Sequence, residues 1–125
     1  MTFPTAELFP FTASVSADGG LTLGGCSAAE LASEFGTPLL VFDEETLRGM
    51  CRAYVSEFGS RYPGTKVLYA AKAYISPALA RIVHEEGLGL DVVSAGELAV
   101  AQLQLIQDTI DRIMNNARES MAILD

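Results

Sequence analysis

The sequence has no lysine or arginine before Arg48, and over its whole length 8 basic residues stand against 16 acidic ones, a formal charge of −8. A chain so acidic repels phosphate backbones, which argues against nucleic acid as a partner. The lack of basic residues near the amino terminus, together with the lack of any long apolar run, also speaks against a secretory signal or a membrane span, so a cytoplasmic protein is expected. Histidine is nearly missing. His84, beside Glu85 on the polar side of a predicted helix, reads as a solvated surface residue. The two cysteines, Cys26 and Cys51, have no second thiol or histidine at metal-ligand spacing, so free structural thiols and no metal are expected. Proline and glycine are absent from Leu98 to Asp125, and no internal repeat or low-complexity tract is present.

What is there in quantity is apolar residue: 50% of the 125 positions are hydrophobic, enough to bury a core as one small domain. Turn signals divide the first part of the chain. A loose stretch over residues 1–10 carries two prolines, a strand is predicted near 11–15, Ala17-Asp18-Gly19-Gly20 is a turn, and Leu21-Thr22-Leu23 is a short strand. Ser27-Ala28-Ala29-Glu30 has the pattern of a capping box, opening a helix that runs through Phe35 and stops at Gly36. A buried strand is then predicted over 38–42. Asp43 is placed to cap a second helix, with Glu44 and Glu45 in its first turn and Leu47, Met50, Cys51, Tyr54, Val55 and Phe58 on its apolar face. The segment 59–64 is a loop.

The run Val67-Leu68-Tyr69-Ala70-Ala71-Lys72-Ala73-Tyr74 reads as an apolar strand holding one charge, and burying an ammonium is costly. Ser76 and Pro77 then make an N-cap and first helical residue, Leu79, Ile82 and Val83 recur at helical spacing, and Gly87 closes the helix. Lys72 therefore falls at the carboxyl end of a strand. Gly89-Leu90-Asp91-Val92-Val93-Ser94 is a second apolar strand with one charge, and a helix begins after it near Glu97. The spacing fits a strand–helix–strand unit with parallel pairing, which sets Lys72 and Asp91 on neighbouring strands. By spacing alone, a strand-end lysine reaching water is the plainer reading. A lysine among alanines, desolvated so that it loses its proton more readily, instead suits Schiff-base chemistry with a carbonyl cofactor.

Three ordered motifs carry a resemblance: Gly36-Thr37-Pro38-Leu39-Leu40-Val41-Phe42-Asp43 followed by Leu47, then Tyr69-Ala70-Ala71-Lys72-Ala73, then Glu86-Gly87-Leu88-Gly89-Leu90-Asp91-Val92-Val93-Ser94-Ala95-Gly96-Glu97-Leu98. From about residue 21 to 101 the chain resembles the amino-terminal part of diaminopimelate decarboxylases, of the alanine-racemase-like pyridoxal phosphate enzymes. The related ornithine and arginine decarboxylases share the lysine strand, but the other two motifs look closer to the diaminopimelate enzymes. The resemblance implies an α/β fold: the first units of a pyridoxal-phosphate-binding (β/α)8 TIM barrel (43–101), preceded by a segment of a β-rich domain (1–42) and followed by a divergent helical tail (102–125). It implies pyridoxal 5'-phosphate as cofactor, held as a Schiff base by a catalytic Lys72, with Asp91, Ser94 and Glu97 matching positions beside cofactor and lysine. It further implies an amino-acid substrate and a homo-oligomer.

The chain departs from the family in two places. Family members commonly read Lys-Ala-Asn where this chain reads Lys72-Ala73-Tyr74. After Ala101 the family's third barrel strand, catalytic histidine, glycine-rich phosphate loop and pyridine-nitrogen acid have no counterpart, and 125 residues cannot close a barrel of about 250. Truncation, a gene remnant and a fusion all fit these facts, as does a non-catalytic interaction module. Asp111-Arg112-Ile113 and Asn115-Asn116 faintly echo the third strand. The stronger pattern is Leu103, Ile106, Ile110, Ile113, Ala117 and Leu124 at heptad-like steps, which predicts one long amphipathic helix from about Glu97 to Leu124 whose seam covers the sheet or pairs with a second copy.

Overall fold

The computed structural model describes residues 6–122, without the side chains of Ala6, Asp108 and residues 116–122. The chain divides into two compact units, 1–54 and 55–125, rather than the one small domain that length allows.

In the first unit a 3-10 turn, Ala6–Leu8, precedes a three-stranded antiparallel sheet of β1 (Ser14–Val15), β2 (Leu21–Leu23) and β3 (Cys26–Ser27), in the order β1-β2-β3. Val15 pairs with Leu21 across the predicted turn, where the Asp18 carboxylate accepts from Ser16 and from the Gly20 N–H. Helix α1 (Ala28–Phe35) starts where the capping pattern places it: the Glu30 N–H donates to Ser27 Oγ at 3.4 Å. It ends at Gly36, whose φ of 81° favours a residue without a side chain. The strand expected over 38–42 does not form. Leu39, Leu40, Val41 and Phe42 carry no strand assignment, and Leu40 is 73% exposed. An apolar run becomes a strand only when a neighbour satisfies its backbone groups, and periodicity cannot supply that neighbour.

Helix α2 (Glu44–Arg61) begins in the first unit and ends in the second. Asp43 caps it, accepting from the Thr46 N–H at 2.8 Å, and the pairs Arg48–Glu44 and Arg61–Glu57 lie four residues apart along it. Its predicted apolar face is uncovered in part, with Met50, Tyr54 and Phe58 exposed.

The second unit is the strand–helix–strand arrangement: β4 (Leu68–Ala70), α3 (Pro77–Glu85) and β5 (Gly89–Asp91), followed by α4 (Ala95–Ala122). Strands β4 and β5 pair in parallel, Leu68 with Gly89, Tyr69 with Leu90 and Ala70 with Asp91. Both strands are shorter than the apolar runs predict, because with two strands the ladder stops where Asp91 meets Ala70. Ser76 caps α3 through the Leu79 N–H, and Gly87, with φ 85°, turns the chain into β5. The buried apolar residues, Ala71, Leu79, Ala80, Ile82, Val83 and Leu88, all belong to this unit.

Helix α4 is continuous across residues 110–116, which removes the echo of a third strand. Its first turns pack against α3, and Gln104 is buried. The seam is not core: Leu103 is 59% exposed, Ile106 57%, Ile110 47% and Ile113 59%. The Ala117 side chain and Leu124 lie outside the described residues, so the predicted end of the helix does too.

Candidate active site

The candidate site residues gather where the two parallel strands end. Lys72 sits in the turn after β4 and is exposed, so the desolvation predicted from a longer strand is absent. Among the described residues no hydrogen bond or ion pair ties its ammonium. Its backbone, in contrast, is fixed on both sides. The Ala71 N–H donates to the Asp91 carbonyl at 2.9 Å, joining the turn to β5, and the Ala73 N–H donates to the Ala70 carbonyl at 3.1 Å, closing the β-turn that carries the lysine.

Asp91 is the last residue of β5 and is exposed. Ser94 precedes α4 and accepts from the Glu97 N–H at 3.2 Å, while the Glu97 carboxylate reaches back to accept from the Val93 N–H at 2.8 Å. This is a capping box shifted by one residue at its return arm. It brings Ser94 and Glu97 together and satisfies two backbone donors around the start of α4. Asp91 is linked to the lysine turn through its carbonyl.

Sequence reasoning missed β3, the burial of Gln104 and two polar ties. One is a hub in the first unit: Asp43 accepts from the side chains of Thr46 and Thr12, Thr46 Oγ1 accepts from the Phe11 N–H at 2.7 Å, and Thr12 Oγ1 accepts from the Gly24 N–H at 2.8 Å. The hydroxyls of Thr46 and Thr12 hold the Asp43 carboxyl below the usual carboxylate range. The other tie is Tyr69, whose phenol donates to the Tyr74 carbonyl at 2.8 Å. No periodicity marks either, since each depends on where loops return. Neither Cys26 nor Cys51 forms a disulfide, and among the described residues no three His, Cys, Asp or Glu side chains gather to hold a metal ion. Nor is any described helix long and apolar enough to cross a membrane.

A parallel strand pair joined by a helix, with a lysine just past one carboxyl end and an acid at the other, carries its polar groups on the rim where α/β barrels place theirs. The family described as pyridoxal-dependent decarboxylase, pyridoxal binding domain, matches residues 46–120, and the chain belongs to it. Within that family it is similar to diaminopimelate decarboxylases. The chain is 46% identical over 96 residues to diaminopimelate decarboxylase of Synechocystis sp., covering 76% of this chain and 20% of the relative. To the enzyme of Corynebacterium efficiens it is 44% identical over 96 residues, covering 77% and 20%. The crystal structure of diaminopimelate decarboxylase from M. jannaschi superposes with a TM-score of 0.66 at 37% identity, covering 74% of this chain and 22% of that one. The chain thus spans about a fifth of the length of these relatives.

Proposed function

We propose that the chain is the amino-terminal part of a diaminopimelate decarboxylase, and that Lys72 is its cofactor lysine. The parent reaction is pyridoxal-phosphate-dependent decarboxylation of meso-diaminopimelate to lysine and carbon dioxide, a step of lysine biosynthesis. In this reading residues 1–42 belong to the β-rich domain, 43–101 to the opening of the barrel and 102–125 to a divergent helical tail. The observation that carries it is the exposed Lys72 on a backbone-fixed turn at the carboxyl end of a parallel strand, in a chain 44–46% identical over 96 residues to diaminopimelate decarboxylases.

The residues present fit the cofactor in part. Lys72 is accessible and flanked by Ala71 and Ala73, which leave room for a planar ring, and it would hold pyridoxal phosphate covalently. When bound, the cofactor supplies an electron sink for the pair left as the α-carboxylate departs. Asp91, at the end of the adjacent strand, provides a negative charge on the same rim that keeps a cationic partner oriented. Ser94 and Glu97 act one step back, since their side chains are committed to fixing the start of α4 and with it the strand end that presents Asp91. Excluding water and moving the product proton need groups that these 125 residues do not bring to the rim. By themselves they bind without turnover.

Titration with pyridoxal phosphate tests this reading. Saturable imine absorbance in the unaltered chain, lost in Lys72→Ala, is expected; the same absorbance in both proteins would overturn it. A second reading, a non-catalytic interaction module, draws on the exposed seam of α4, which offers a homo-oligomer contact.

A further inference from the structure

The side chains around the lysine turn include one that neither the capping box nor the strand ladder uses. Tyr69 lies within β4, half-buried, three residues before Lys72. Its phenolic O–H donates to the carbonyl of Tyr74, two residues after Lys72, at 2.8 Å. The bond spans the turn from one flank to the other. Inside it the Ala73 N–H closes on the Ala70 carbonyl, with Lys72 at the third position of that β-turn.

We propose that Tyr69 is a positioning residue for Lys72: its hydroxyl braces the turn and so fixes the point from which the lysine side chain leaves the backbone. The inference rests on the assignment of Lys72 as the cofactor lysine for its chemical meaning, but the brace itself is independent of any cofactor. Three observations converge on it. The strand ladder ends at Ala70 and Asp91, and just past it the Ala71 N–H makes one further bond to the Asp91 carbonyl. A four-residue turn with one backbone bond opens readily, because turn bonds at a surface exchange with water. Finally, the acceptor is a backbone carbonyl, so the brace does not depend on which side chain stands at position 74. That makes Tyr74, where this chain departs from the commoner asparagine, compatible with an intact turn.

A precisely held lysine reacts from one direction, whereas a loose one samples many, and holding a reacting group in one geometry is a source of rate. Tyr69→Phe removes the hydroxyl and keeps the ring, which makes it the informative change, with Tyr74→Phe its control.

The test uses the 125-residue chain and two readouts. Amide hydrogen exchange at Ala73 is expected to rise about five- to tenfold in Tyr69→Phe, the factor carried by one ordinary hydrogen bond. Exchange across α3 stays unchanged, and Tyr74→Phe leaves Ala73 as it was. In parallel, the ratio of Lys72 to Lys66 labelled by pyridoxal phosphate and cyanoborohydride is expected to fall in Tyr69→Phe. Unchanged Ala73 exchange would overturn the proposal, as would a rise spread evenly over α3 and β5, which would make Tyr69 a general packing residue. A faster Ala73 with an unaltered labelling ratio would overturn it too, since the brace would then not serve the lysine. Equal labelling of Lys66 and Lys72 in the unaltered chain, with Ala73 still responding, would sink the cofactor assignment and leave the brace standing.

Discussion

Asp43 joins three parts of the first unit at one carboxylate: the segment before β1 through Thr12, the β2–β3 turn through Thr12 and Gly24, and α2 through Thr46. Hydrogen bonds from Thr46 and Thr12 lower its proton affinity in the folded state, which fixes the sign of a pH effect. A carboxyl depressed on folding stabilises the protein above its unfolded value near 4, and that contribution disappears as the pH falls through the lower folded value. Chemical denaturation from pH 6 to pH 2 should therefore show acid destabilisation that Asp43→Asn reduces. Asp43→Ala should lower stability at pH 7 by about 1–2 kcal/mol, the usual worth of a helix cap with side-chain partners. Equal acid sensitivity in Asp43→Asn and the unaltered chain would show that other groups govern it.

The elements divide into those whose ends are written locally and those that need distant partners. Ser27, Asp43 and Ser76 each stand before the helix they cap, so those three starts were legible from the sequence, whereas α4 begins at Ala95 behind a Ser94 cap, two residues ahead of the expected Glu97. The parallel pairing of β4 and β5 was also legible, because two apolar runs flanking an amphipathic helix have few other arrangements. The extent of the strands was not. A ladder's length is set by the neighbouring strand, and the mostly apolar runs 38–42 and 71–74 carry no strand assignment. Lys72 is exposed, as the plainer reading of its spacing has it. Helix α3 supplies most of the buried core through Leu79, Ala80, Ile82 and Val83. Leu79→Ala should accordingly cost about 2–4 kcal/mol and melt the second unit's protected amides first. Ser94→Ala should cost about 1 kcal/mol and loosen the first turn of α4, read as faster exchange at Glu97. If Leu79→Ala left exchange across β4, α3 and β5 unaltered, the small core would not be what holds this unit.

For the whole molecule, the account separates binding from turnover. The chain spans about a fifth of its relatives' length, and the proposed function gives it a cofactor lysine without turnover. The purified 125 residues should release no carbon dioxide from meso-diaminopimelate; release that Lys72→Ala abolishes would contradict this. Association is the other consequence at this scale. The α4 seam leaves Ile106, Ile110 and Ile113 largely exposed, so sedimentation should show mass rising with concentration and Ile110→Asp should hold the chain as a monomer. A monomer at every concentration would reject the seam as a contact. Reduction of the chain with borohydride after pyridoxal phosphate, followed by peptide mapping, tests Lys72 as the inherited cofactor lysine. Labelling at Lys72 well above Lys66 is expected; equal labelling of the two would reject that role.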